Sequence, residues 1–161
     1  MGYTVDHWVN FGVAVAGCAG ALVGLLFVAV SIRSSALSAS RSLSSRAAET
    51  LVLFMTSVVA AIVLVAPQPD IALGVELLGW AFLSGALYLI LDRRAGSGAT
   101  NRAARFVERF SPNVATSVLL AIAGATFLDR HGGGLYWLLP TMAGSLLGGV
   151  INAWFFLISE S

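Results

Sequence analysis

Between His7 and Arg33 the chain runs for 25 residues without a charged side chain. A helix of that length covers ~37 Å, more than the ~30 Å hydrocarbon core of a bilayer requires. The pattern recurs along the sequence, and it constrains the fold more than any motif does. Backbone polar groups in hydrocarbon must be satisfied within the segment, so apolar runs of this kind are read as helices. The composition agrees. Apolar residues make up 58% of the 161, charged residues 11%, and the mean hydropathy is +0.88, against roughly 45–50% and about 25% in a soluble domain. These features predict an all-α membrane protein, one transmembrane domain over residues 1–161. A nucleic-acid binder is excluded, because no basic groove can be drawn from so few separated charges. The net charge of +1 is uninformative, since nine cations and eight anions are dispersed between apolar segments.

Cutting the chain at its charges gives five candidate spans: 8–32, 50–66, 71–91, 112–128 and 135–158. The second stops at Pro67, Gln68, Pro69 and Asp70, where two prolines prevent simple continuation. The fourth opens on Ser111 as N-cap with Pro112 at the first helical position. The arginines then orient the bundle. Arg33, Arg41 and Arg46 fall between spans one and two. Arg93, Arg94, Arg102, Arg105 and Arg109 fall between spans three and four, leaving only Arg130 for the other side. Short cytoplasmic loops carry the excess of positive charge, which places the N-terminus outside and the C-terminus inside a bacterial cytoplasmic membrane. The arginine-only cation content, with so much alanine and glycine, points to a high-GC bacterial genome.

Two loops carry further expectations. After Gly96-Ser97-Gly98, the residues Ala103, Phe106, Val107 and Phe110 fall at i, i+3, i+4 and i+7 with arginines opposite. That is the pattern of a short amphipathic interfacial helix, in which Arg102, Arg105 and Arg109 would meet lipid headgroups or simply face water. The serine-rich stretch 34–45 reads as a helical extension of its neighbouring spans. No positive charge precedes the first apolar run, unlike a secretory signal. Val15-Ala16-Gly17-Cys18 has the form of a lipobox, but cleavage there would leave only 14 residues of span one. Cys18 is therefore read as a small apolar residue, and a lone cysteine forms no intrachain disulfide.

Helix association in lipid relies on close backbone approach at small residues. Gly12, Ala16, Gly20 and Gly24 recur at four-residue spacing in span one, and Gly144 and Gly148 do so in span five, with Ser145 and Gly149 beside them. These are predicted packing faces, within one chain or between copies. Glu76 is the single acid inside a predicted span, and intramembrane ionisable groups are costly enough to suggest function. It would bind a cation, pass a proton, or hydrogen-bond a neighbouring helix. Asn10 and Asn152 are the other intramembrane polar candidates, Glu49 pairs with a nearby arginine, and Pro140 is expected to kink span five. His7, His131 and the outer carboxylates lack the helical spacing of a metal site, so no metal or other cofactor is expected. His131-Gly132-Gly133-Gly134 has the form of an esterase oxyanion loop, but no Gly-x-Ser-x-Gly elbow accompanies it, and a tight turn explains the glycines. The sequence reads as no enzyme.

Residues 20–32 (GALVGLLFVAVSI), 48–54 (AETLVLF), 74–78 (GVELL), 135–140 (LYWLLP) and 152–154 (NAW) resemble a family of small actinobacterial integral membrane proteins, some of which carry the label of modulators of the FtsH protease. The resemblance covers nearly the whole chain. It implies a multi-pass protein without catalysis, in which Glu49, Glu76, Pro140 and Asn152 are the family-like polar positions. Two functions follow as expectations. One is an accessory or modulatory subunit that contacts itself or another membrane protein through its helices, with lipids around it. The other is a small oligomeric ion channel or transporter that uses Glu76.

Overall fold

The computed structural model describes residues 2–95 and 112–158, and every element among them is helical. A 3-10 turn at Val5–Trp8 leads into α1, Val9–Ile32, followed by the short α2, Ser34–Ala39, and by α3, Arg41–Val65. Then come α4, Asp70–Ala95, and α5, Pro112–Asp129. A second 3-10 turn, Gly134–Trp137, opens α6, Leu138–Ile158.

Four helices are long and apolar enough to cross a membrane: Val5–Ile32, Leu43–Val65, Asp70–Leu91 and Gly134–Trp154. The fifth expected span, 112–128, falls on α5, an apolar helix shorter than these four. α5 is a helix as expected and starts at Pro112, but its 18 residues rise only ~27 Å. The expected interfacial helix with Arg102, Arg105 and Arg109, and the Ser111 cap, lie outside the described residues. The serine-rich stretch is helical, as expected. It forms α2 and the first turns of α3, so that helix begins well before Thr50. Pro140 lies in the first turn of α6, where a backbone N–H has no intrahelical acceptor.

α3, α4, α5 and α6 form a closed ring in which each packs on the next and α6 returns to α3. Short connections, 66–69 and 130–137, make α3–α4 and α5–α6 antiparallel pairs. α1 lies outside the ring against α3 and touches α6 lightly. One contiguous apolar cluster fills the ring near the tight turns, with Leu64 from α3, Leu73 and Leu77 from α4, Leu120 from α5, and Leu138 and Met142 from α6.

Glycines set how closely these helices approach. A Cβ on Gly124 would lie 2.9 Å from Leu78 Cγ and 3.0 Å from the Gly74 carbonyl oxygen, and one on Gly74 would strike Leu128. Gly149 likewise leaves room for the Phe54 ring, and Gly12 for Ala61 and Val65. Only a missing side chain permits such spacing.

The N-terminal residues close the tight-turn end. Leu135 N donates to Gly2 O at 2.9 Å and Gly133 N to the Tyr3 hydroxyl at 3.0 Å, while Trp8 stands edge-on to Tyr136. Gly132, Gly133 and Gly134 all have positive φ, conformations that side chains resist. This is the turn that the sequence led us to expect.

Candidate functional site

A buried hydroxyl in hydrocarbon is costly without a partner, and several serines of the ring find theirs on a neighbouring helix. Ser145 Oγ donates to the Leu53 carbonyl at 3.0 Å, and the Ser57 hydroxyl bonds to Ser145 in turn. On the opposite side, Ser84 donates to the Ala81 carbonyl and lies 3.1 Å from Ser117 Oγ. Towards the arginine end, Ser45 Oγ reaches the Leu91 carbonyl at 2.9 Å and ties α3 to α4. Thr50 and Thr56 return their protons to the carbonyls one turn back. These pairs join neighbouring helices, and none combines with a carboxylate or histidine in a nucleophilic or acid–base set. No group of three metal-ligating side chains occurs among the described residues.

Glu76 is exposed and points away from the ring, while Leu73, Leu77, Ala81 and Ser84 take the interior face of α4. Counting on from Glu76 by three and four gives Gly79, Leu83, Ala86 and Ile90, all exposed. The carboxylate thus heads an outward stripe of α4.

The small-residue face of α1 divides. Gly12 is buried and Ala16 half-buried, whereas a Cβ on Gly20 or Gly24 meets nothing within 4 Å. The buried positions of α1 are Gly12, Val15, Ala19 and Leu26. Four-residue spacing drifts ~40° per step around a helix of 3.6 residues per turn, so a stripe drawn at that spacing leaves the contact line. Gly20 and Gly24 lie on the outward face and so pack on no helix within the chain, and Gly17 joins them there beside Val13, 56% exposed. In α6 the expected pair also divides, since Gly148 is buried and Gly144 is open. Gly149, beside that pair, makes the close contact.

The other expected residues do not converge. Asn10 is exposed on α1, Asn152 half-buried on α6, and Glu49 half-buried on α3. At the tight-turn end Arg130 pairs with Asp70 at 3.0 Å, and His131 Nδ1 lies 2.7 Å from its neighbour's carbonyl, Asp129 O. Cys18 is exposed and free in the middle of α1.

Sequence reading missed Gly74 and Gly124, which bring α4 and α5 into close approach, because each stands alone rather than in a four-residue repeat. It also missed the serine pairs and the buried Asn113. Hydroxyl and amide residues inside apolar runs were the available signal. Among the described residues Trp80 Nε1, Tyr88 Oη and Asn113 Oδ1 are buried without a hydrogen-bond partner.

Comparison with protein families, curated proteins and solved structures gives no match to this chain.

Proposed function

We propose that this chain is a non-catalytic integral membrane protein of the bacterial cytoplasmic membrane. It acts as an accessory or modulatory subunit through lateral helix–helix contacts with itself or with a membrane partner. The observation that carries this reading is the outward face of α1. This span has the smallest buried share of the four, 17%, and its Gly17, Gly20 and Gly24 have open space where a Cβ would stand. Small residues facing lipid gain nothing there, but they allow a second helix to approach closely. In this proposal α5 is a fifth, short span, the N-terminus is outside and the C-terminus inside, and the resemblance to FtsH-modulator-labelled proteins supplies the class of partner. The test is affinity capture from membranes together with the oligomeric state in mild detergent, for the wild type and Gly20→Leu. Loss of the partner or of self-association in a folded variant supports the reading. A wild type that is monomeric and captures nothing refutes it.

A second reading, an oligomeric ion channel, is favoured by the position of Glu76. The ring interior is packed, so a route past this carboxylate would run between copies rather than through one. Flux in liposomes that Glu76→Gln abolishes would establish that reading over the first.

A further inference from the structure

The seam between α4 and α5 is not uniform along its length. At the tight-turn end a Cβ on Gly74 would lie 2.5 Å from Leu128 and one on Gly124 2.9 Å from Leu78. Towards the arginine end the seam loosens. A Cβ on Gly85 would stand 3.7 Å from Ser117 Cβ and 3.8 Å from Ser117 Oγ, in ordinary contact, so a methyl-sized group fits there. The side chains around that looser part are polar. Ser84 and Tyr88 stand at i and i+4 on α4, Asn113 and Ser117 at i and i+4 on α5, and the Ser84–Ser117 pair sets the antiparallel register that brings Tyr88 level with Asn113. Tyr88 is 3% and Asn113 2% exposed, and neither Tyr88 Oη nor Asn113 Oδ1 has a hydrogen-bond partner. Thr56 on α3 also faces Tyr88, but its own proton is committed to Val52 O at 2.7 Å.

We infer that the arginine end of this seam is a binding site for one water molecule, which bridges Tyr88 and Asn113. A phenol hydroxyl and an amide oxygen held in an apolar medium without partners are each costly, and polar groups too far apart for a direct bond are commonly joined through water. The proton count closes. Water accepts from Tyr88 Oη and donates one proton to Asn113 Oδ1, which can only accept. Its second proton goes to Ser117 Oγ, one turn along α5, whose own proton is given to Ser84. Three bonds are the usual complement of a buried water, and a water is about the size of the methyl group that the seam admits beside Gly85. Three neutral oxygens also fall short of the six or more that a hard cation collects. The way in is short. Asn113 is the second residue of α5, and Tyr88 lies five residues before Arg93, ~8 Å along the axis. Water therefore enters from the arginine side, and the apolar cluster that begins at Ala81 and Leu120 stops it. This inference does not depend on the accessory role proposed above.

The test is water-edited solid-state NMR of the isotopically labelled full chain in phosphatidylcholine bilayers, which reads how fast water protons polarise each side chain. Tyr88 and Asn113 are expected to receive water polarisation severalfold faster than Leu77 and Leu120. Tyr88→Phe keeps the ring and removes one anchor of the water, so transfer to Asn113 should fall severalfold while transfer to exposed His131 stays as it was. Asn113→Leu should lower transfer to Tyr88 in the same way. It is the second variant should Tyr88→Phe disturb the fold, which unchanged Leu77 and Leu120 resonances report. Transfer to Tyr88 and Asn113 as slow as to Leu120 overturns the inference. So does transfer to Asn113 that a folded Tyr88→Phe leaves unchanged. Fast transfer to Asn113 alone assigns Tyr88 Oη to Thr56 and overturns the bridge as well.

Discussion

Ser84 Oγ and Ser117 Oγ lie 3.1 Å apart in the buried interface between α4 and α5, and Ser84 also donates to the carbonyl of Ala81. That leaves Ser117 as the donor to Ser84. The antiparallel register places Tyr88 and Asn113 one turn further along, at the same level. Interhelical hydrogen bonds in lipid contribute on the order of 1 kcal/mol each. Ser84→Ala and Ser117→Ala should each destabilise by about that amount, and the double variant by clearly less than their sum. A double-mutant cycle from detergent-induced unfolding checks this, and strict additivity would refute the bond.

Glycine contacts differ by position. Gly124→Leu must displace Leu78 and the Gly74 backbone, so a loss of about 1–3 kcal/mol or more is expected from overpacking. Gly20→Leu points into open space and should leave the melting temperature of the monomer unchanged. Its effect is expected in association alone. Thermal denaturation of both variants, read beside their elution volumes, separates the two cases.

Glu76 lies on the exposed stripe of α4, outside the ring. Glu76→Gln should fold with wild-type stability and, on the accessory reading, leave liposome permeability unchanged. Measured ion flux that the glutamine removes would transfer the argument to the channel.

Arg130 and Asp70 form an ion pair at 3.0 Å, with side chains 67% and 45% exposed. Exposed pairs contribute about 0.2–1 kcal/mol, so Asp70→Asn should lower stability by no more than that. The loss should shrink at high salt.

Topology rests on the loop arginines. Reporter fusions after Ser161 and within 96–98 should both report the cytoplasm, and an external signal at either position would refute the orientation.

Much of the fold was legible because a bilayer makes charge expensive. Arg33, the Pro67–Pro69 stop and Asp129 mark helix ends that length and hydropathy alone would find. The candidate site was less legible. Periodicity placed Gly20 and Gly24 on a shared stripe with Gly12, but a helix contacts its neighbour along a line that follows 3.5–3.6 residues per turn, and Val15 and Ala19 lie on it. Glu76 is the single acid inside the spans drawn from charge alone, whereas the longer helices of the structure also take in Glu49 and Asp70, and nothing in the neighbours of Glu76 says whether it faces the bundle or its surroundings.

What the sequence determined by itself is the helical, membrane-compatible class of the chain and most helix boundaries. Each of these depends on a residue and its near neighbours: an uncharged run, a proline, a glycine turn. Tertiary structure alone decided which helices adjoin, that α1 stays outside a closed ring of four, that isolated Gly74 and Gly124 let α4 and α5 approach closely, and that Glu76 turns outward. Those outcomes depend on how several helices share one volume. In lipid, apolar burial does not distinguish one helix face from another. The choice falls to small differences in close packing and hydrogen bonding between residues far apart in sequence, which no single segment encodes.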